Sequence, residues 1–244
     1  MQDKICVIIP TYNNAGTILK VIQDVERYCP DIIVVNDGSD DDTYPILSNL
    51  KSITLVSYCR NRGKGYALKM GFMKALELGF GFAITIDADG QHSASDIPHF
   101  LELHTKYENA LIVGSRNLCA ENMPGKNSFA NKFSNFWFKV QTLQSLPDTQ
   151  SGYRLYPIKS LGFIKMLTSR YEAELALLVL AAWNRIKIIP ININVYYPPQ
   201  EERVTHFRPI YDFACISVLN TLLCFIAVLY WYPRMLIDKI SPNK

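Results

Sequence analysis

Asp87 and Asp89 stand two residues apart at the end of an apolar run, in Ile84-Thr85-Ile86-Asp87-Ala88-Asp89-Gly90-Gln91-His92. In an extended segment residues i and i+2 point the same way, so the two carboxylates would face one another and repel. A divalent cation between them removes that repulsion. A solvated strand end or an Asp-rich turn is the plainer account of an isolated Asp-x-Asp, so the decision rests on what the rest of the chain brings to the same place.

The elements that would position these carboxylates alternate from the start. Ile5–Ile9, Ile32–Val35, Ile53–Ser57, Phe82–Ile86 and Leu111–Val113 are expected as strands, and Thr17–Tyr28, Thr43–Leu50, Lys64–Leu78 and Ser95–Lys106 have helical spacing. Such alternation implies βαβ units and a mostly parallel, Rossmann-like sheet with helices on both faces. Ligands of such sheets collect at the carboxyl ends of the strands. The polar segments Pro10–Asn14, Asn36–Asp40, Asp87–Gln91 and Gly114–Asn117 all follow strands, which gathers four polar loops at one edge. Further on, an aromatic-rich helical stretch after residue 125 precedes the run Asp148–Arg154. A helix over Glu172–Trp183 and a strand over Ile186–Val195 follow.

At 244 residues and 49% hydrophobic, the chain can bury a substantial core in one α/β domain. Its net charge of +3 is localised: residues 203–244 hold five basic and two acidic residues, while the rest balances. No nucleic-acid partner is expected. The six cysteines form no Cys-x-x-Cys pair and three lie in apolar runs, which points to free thiols in a reducing compartment. The N-terminus lacks a signal-peptide pattern, so a cytosolic catalytic unit is the expectation.

No Gly-x-Gly-x-x-Gly follows the first strand, which disfavours a dinucleotide-binding domain. The basic, glycine-rich segment Arg60–Gly65 lacks P-loop spacing, and a turn followed by a helix start accounts for it equally well. Taken together, Val7–Asn13, Val34–Asp41 and Asp87–His92 resemble the family 2 glycosyltransferases of GT-A fold. Asn61–Gly65, Gly114–Arg116 and Asp148–Arg154 narrow the resemblance to the dolichyl- and polyprenyl-phosphate sugar transferases. It covers roughly residues 4–210 and rests on several separate motifs.

The resemblance implies a Mg²⁺ or Mn²⁺ ion contacted by Asp87, Asp89 and Gln91, hard oxygen donors that suit such an ion and a departing diphosphate. It places Pro10, Tyr12, Asn14, Val35 and Asp37 at the donor nucleotide, with Ala88 among the substrate-binding residues. Asn14 and Asn36 stand where relatives often carry acids, which leaves the base unassigned. Asp89, Arg116 and Arg203 are the expected catalytic residues. Arg116, Lys132 and Ser134 would grip an acceptor phosphate, and Arg203, with Arg208 nearby, would close on the sugar diphosphate. For Lys132 and Ser134 an ordinary solvated helix face is the alternative.

One absence bears on the acceptor. Many family members that act on sugar hydroxyls carry an acidic base in a Glu-Asp pair, because a hydroxyl must lose a proton as it attacks. Here Tyr171-Glu172-Ala173-Glu174-Leu175 stands instead. A phosphate acceptor is already anionic, which favours inverting transfer from a nucleotide-diphosphate sugar to a lipid phosphate at the cytosolic membrane face. A hydroxyl acceptor, with Glu174 as base, is the alternative enzyme; an inactive nucleotide-sugar-binding scaffold is the alternative from another class.

The chain divides into a catalytic unit over 1–206 and a membrane-associated helix with a basic tail over 207–244. From Phe213 to Tyr232 there are 20 residues without a formal charge, about the length that crosses a bilayer core. Ser217, Asn220, Thr221 and Cys224 form one small-polar stripe. That pattern suits a helix in the membrane interface, or one packed on a partner helix in a homo-oligomer, as well as a full crossing; a helix packed in the core is the plainer alternative, and an interfacial or re-entrant placement is preferred over a full crossing.

Overall fold

The computed structural model describes residues 4–116, 125–162, 170, 172–196 and 209–240. Strands β1 (Ile5–Thr11), β2 (Ile32–Asn36), β3 (Ile53–Ser57), β4 (Phe82–Thr85), β5 (Leu111–Arg116), β6 (Arg154–Tyr156) and β7 (Ile188–Ile193) form one sheet in the order β3-β2-β1-β4-β6-β5-β7. All neighbours are parallel except β6, which runs antiparallel to both β4 and β5.

Period-2 alternation sends successive side chains to opposite layers. In β1, Cys6 and Ile8 enter one apolar cluster while Val7 and Ile9 enter the other. The first layer is covered by α3 (Lys64–Glu77), α5 (Gly125–Thr142) and α6 (Glu172–Trp183), through Leu68 and Phe72, Phe138, and Leu177. The second is covered by α1 (Ile18–Glu26), α2 (Thr43–Ser48) and α4 (Ile97–Lys106). Ile18, Val21, Ile22 and Val25 make the inward stripe of α1 that a helix on a sheet requires.

The helix expected over Glu172–Trp183 is found at those bounds. β1 and β5 run further than expected, to Thr11 and Arg116, because their polar ends still pair: Thr11 with Asn36 and Arg116 with Ile193. The strand β6 was not foreseen. Three residues are too few for periodicity to register, and the sequence signal there was the polar run before it. Because β6 is antiparallel, that run, residues 148–153, arrives at the carboxyl edge of the parallel strands.

The chain ends in α7 (Pro209–Ile226), a π-helical turn (Ala227–Trp231) and α8 (Tyr232–Ile240). Within it, Ala214–Asp238 is long and apolar enough to cross a membrane by length and composition. One side packs on the domain: Asn220, Leu223 and Ala227 are buried, and Gln141 of α5 donates to the Asn220 side-chain oxygen at 2.9 Å. Tyr232 donates to the Val140 carbonyl, Trp231 stacks on Trp183, and Arg185 pairs with Asp238. The opposite side exposes Val218, Leu222, Phe225, Leu229, Leu236 and Ile240. Two residues of the small-polar stripe, Asn220 and Cys224, meet Gln141 of the domain itself.

Gly114 marks the tightest point of the β5–β6 seam. Its N–H donates to the Tyr153 carbonyl at 2.8 Å, and a Cβ would stand 2.7 Å from that oxygen and 2.9 Å from Ile193 Cδ1. Gly114→Ala should therefore lower unfolding free energy by about 1–3 kcal/mol through overpacking. Urea denaturation checks it, and an unchanged midpoint would contradict this account of the seam.

Candidate active site

Each loop at the carboxyl edge is fixed by its own polar contacts. At the end of β1, Asn13 takes a left-handed conformation, φ 54°, and exchanges hydrogen bonds with Asp40: Nδ2 to Oδ1 at 2.5 Å and Asp40 N–H to Asn13 Oδ1 at 3.0 Å. Asn14 Nδ2 donates to the Tyr12 carbonyl at 2.8 Å. At the end of β2, Asn36 turns inward, donating to Ser57 Oγ at 3.0 Å and accepting from the Ser39 N–H at 3.2 Å. Asp37 accepts from the N–H groups of Arg62 and Gly63, both at 2.8 Å. The turn in Arg60–Gly65 is thereby tied to β2, and α3 starts at Lys64. Burial raises the Asp37 pKa, and these N–H groups oppose the rise.

The Asp87–Asp89 turn follows β4. Ala88 is buried and its carbonyl accepts from Thr17 Oγ1 at 2.7 Å, which holds the turn against α1. Asp89 Oδ1 accepts from the Gln91 N–H at 2.9 Å. The cation against Asp87 is Lys64, whose ammonium lies 2.7 Å from Asp87 Oδ1 and 3.1 Å from Glu174 Oε2. Burial alone would raise the Asp87 pKa, but the Lys64 charge keeps it below the ordinary carboxylate value. Asp89 is pushed up to about 6 by burial and then by the charge of Asp87. The repulsion expected of an i, i+2 pair is therefore present, relieved at one carboxylate and stored at the other. The His92 ring packs beside Tyr153 at 5.3 Å, and burial lowers its pKa to about 4, so it is neutral at physiological pH.

Across the sheet, Asp148 is fully buried and satisfied from every side. Arg116 grips it with a fork, Nε to Oδ2 at 2.6 Å and Nη2 to Oδ1 at 3.0 Å. Asn131 Nδ2 donates at 2.5 Å, and the N–H groups of Gln150 and Ser151 donate at 3.0 and 3.2 Å. Arg154 is also fully buried and donates to the carbonyls of Thr149, Ser151 and Glu174.

The expected residues are distributed unevenly over this edge. Asp37, Asp87, Asp89, Gln91 and Arg116 lie at the ends of β2, β4 and β5, and Tyr12 and Asn14 at the end of β1. The side chain of Val35 lies in the core, so any nucleotide contact there would come from its backbone; Pro10, its register partner, is likewise buried. Ser134 is buried and accepts from Thr149 Oγ1 at 2.7 Å, whereas Lys132 of the same helix faces solvent. Arg203 and Arg208 lie outside the described residues. Lys64, Gly152 and Asp148 were not assigned roles from sequence, and Glu174 was considered only as a base.

Asp87 and Asp89 supply hard oxygen donors at one turn, and this donor chemistry fits Mg²⁺ or Mn²⁺. Among the described residues no three His, Cys, Asp or Glu side chains converge on one point. The fit is thus to a cation that takes few protein ligands and completes its shell with phosphate oxygens and water.

Residues 6–162 match the family model described as Glycosyl transferase family 2. The chain is 30% identical to the UDP-N-acetylglucosamine--dolichyl-phosphate N-acetylglucosaminyltransferase of Methanococcus voltae over 81% of its own length and 88% of the relative's. It is 27% identical to the dolichyl-phosphate beta-glucosyltransferase of Saccharomyces cerevisiae, over 77% and 65% respectively. In fold it resembles the glucosyl-3-phosphoglycerate synthase of Mycobacterium tuberculosis, solved with Mn²⁺, uridine diphosphate and phosphoglyceric acid. There the TM-score is 0.66 at 19% identity, over 94% of this chain and 78% of that one. The GT-A architecture implied by the motifs is borne out.

Burial would raise the Asp148 pKa, but the Arg116 fork and the surrounding N–H groups hold it below the ordinary carboxylate value. A group depressed in the folded state contributes stability that is fully present above the unfolded pKa, about 4, and is lost as pH falls through the folded one. Asp148→Asn should cost about 3 kcal/mol at neutral pH, because the ion pair between Arg116 and this buried carboxylate is lost. Wild type and variant should then converge below about pH 3. Urea unfolding at both pH values measures this, and a gap independent of pH would contradict it.

Proposed function

The chain belongs to glycosyl transferase family 2, and from that premise we propose that it transfers a sugar, with inversion, from a nucleotide diphosphate to a polyprenyl or dolichyl-like phosphate at the cytosolic face of a membrane. The observation that carries the acceptor assignment is the state of Glu174. The carboxylate that could deprotonate a hydroxyl is buried and ion-paired to Lys64, so the site favours an acceptor that is already anionic. The relatives named for dolichyl phosphate support the same choice.

In this assignment the nucleotide lies across the ends of β1 and β2, near Tyr12, Asn14 and Asp37. Asp87, Asp89 and Gln91 hold the divalent ion, which when bound offsets negative charge on the departing diphosphate. Arg116, oriented by Asp148, holds the acceptor phosphate, with Lys132 and Ser134 on the neighbouring helix; Arg203 and Arg208 close on the donor. A phosphate oxygen attacks the anomeric carbon from the face opposite the leaving group. The new C–O bond forms as the bond to the diphosphate breaks, and the nucleoside diphosphate departs with the electron pair. No proton need move, which is why an unoccupied carboxylate base is not required.

The C-terminal helix supplies the membrane surface. With Asn220, Leu223 and Ala227 packed on the domain, the outward apolar row fits a helix lying in the interface plane better than one leaving the domain to cross a bilayer. Arg234, exposed on α8, would sit near anionic headgroups.

The test is a screen of radiolabelled UDP- and GDP-sugars, UDP-N-acetylglucosamine first, with polyprenyl phosphate and with neutral glycan or lipid alcohol acceptors. Transfer to the neutral acceptors alone would replace this assignment. Turnover should require Mg²⁺ or Mn²⁺, and Asp89→Ala should abolish it. Because Asp89 is held beside a like charge, its loss should change stability by no more than about 1 kcal/mol; full activity in excess chelator would rule out the metal.

Replacing Leu222 and Phe225 together by Glu should remove cosedimentation of the full chain with anionic phosphatidylserine vesicles and leave nucleotide binding intact. Equal cosedimentation of both proteins would show that this face does not meet the membrane.

A further inference from the structure

Lys64 has no role in the chemistry above, yet its placement is locally unfavourable. It is the first residue of α3, where exposed N–H groups already carry partial positive charge and a cation is disfavoured. Its ammonium is also largely withdrawn from water, which adds a desolvation cost that only close carboxylates can offset. Asp87 and Glu174 do so from the ends of two other elements. Gly152 closes the cradle: a Cβ there would stand 2.7 Å from Lys64 Nζ, 2.9 Å from Asp87 Oδ2 and 3.0 Å from Glu174 Oε1. Three elements and a position without a side chain thus hold one ammonium against a carboxylate assigned to the metal.

We propose that Lys64 is a built-in cation that keeps the metal site weak until the donor diphosphate arrives, so that the divalent ion enters with the nucleotide and not before it. This rests on the metal assignment above. The described residues bring only two carboxylates to the turn, and Lys64 already neutralises one of them. A positive charge touching the same carboxylate repels an incoming dication, and the repulsion is weakly screened where water is largely excluded. The diphosphate reverses the balance by bringing its own negative charges and oxygen ligands. Lys64 meanwhile keeps the Asp87 side chain in one orientation, so the site is shaped before it is filled. It is a positioning residue acting through Asp87.

The experiment is equilibrium Mn²⁺ binding, read from the electron paramagnetic resonance signal of free Mn²⁺, with and without UDP. Wild type, Lys64→Gln and Lys64→Arg are compared after thermal unfolding has verified that each is folded. Without UDP, K64Q should bind Mn²⁺ more tightly than wild type by about tenfold or more, while K64R, which keeps the charge, should remain as weak as wild type. With UDP, the three should agree to within about threefold. If K64Q does not fold, the wild type still decides: Mn²⁺ affinity without UDP equal to that with UDP overturns the inference. So does a folded K64Q that binds no tighter than wild type while every form binds Mn²⁺ with UDP. If no form binds Mn²⁺ even with UDP, the metal assignment falls and this inference with it.

Discussion

The burial of one carboxylate organises this site. Asp148 has no exposed surface, and an ionised group in that position is tolerated only if each lone pair finds a donor. Arg116 from β5, Asn131 from α5 and the N–H groups of residues 150 and 151 all answer that demand. The segment before β6 is thereby folded around Asp148. β6 then enters the sheet antiparallel and delivers Gly152 and Tyr153 to the edge where the parallel strands end. Arg154 repeats the logic with the opposite sign, since three carbonyls from two segments converge on its guanidinium. A loop of this length without such anchors would lack a fixed position relative to β4.

The second constraint is the like charge at Asp87 and Asp89. Lys64 relieves one carboxylate, and the other remains perturbed, with its pKa near 6. An arrangement of this kind contributes little to stability, and perturbed carboxylates of this sort cluster where ligands bind. In the proposed reaction, donor, metal and acceptor anion would all bring charge to one small region. The fixed charges around it, Lys64, Arg116 and Asp148, are each held by partners of opposite sign, so they need not rearrange when the substrates arrive.

Much of this was legible in the sequence because it was written in strong local patterns. Alternating apolar runs and helical stripes located the parallel strands and the helices that cover them, and the polar segment after each strand marked the edge. β6 was not legible, since three residues carry no period and its pairing partners are 69 and 41 residues away in sequence: Thr85 and Val113, both opposite Arg154. Nor was the Lys64–Asp87–Glu174 triad, which joins three segments that only the fold brings together. One signal did exist for it: a lysine at the first position of a helix runs against the macrodipole, and such a local conflict often marks a tertiary or functional requirement. For Val35, strand periodicity alone points the side chain into the core, so at that position only the backbone is left to face the edge.

The helix α5 links the two ends of the molecule that the proposed reaction must coordinate. At one end Asn131 and Ser134 take part in the hydrogen bonds around Asp148 and Thr149. At the other, Gln141 reaches Asn220 and the Val140 carbonyl receives Tyr232, both on the C-terminal helix. Ten residues of helix separate Asn131 from Gln141, a span of about 15 Å at 1.5 Å per residue. A rigid element of that length fixes the height of the site above whatever surface the C-terminal helix rests on. A polyprenyl phosphate has its reactive oxygen at the headgroup level, so a catalytic edge held at constant height can meet it without the lipid leaving the bilayer. If the C-terminal helix rests on a membrane as proposed, the buried Gln141–Asn220 contact would be more than a seam between helix and domain: it would set the distance between the membrane and the anomeric carbon.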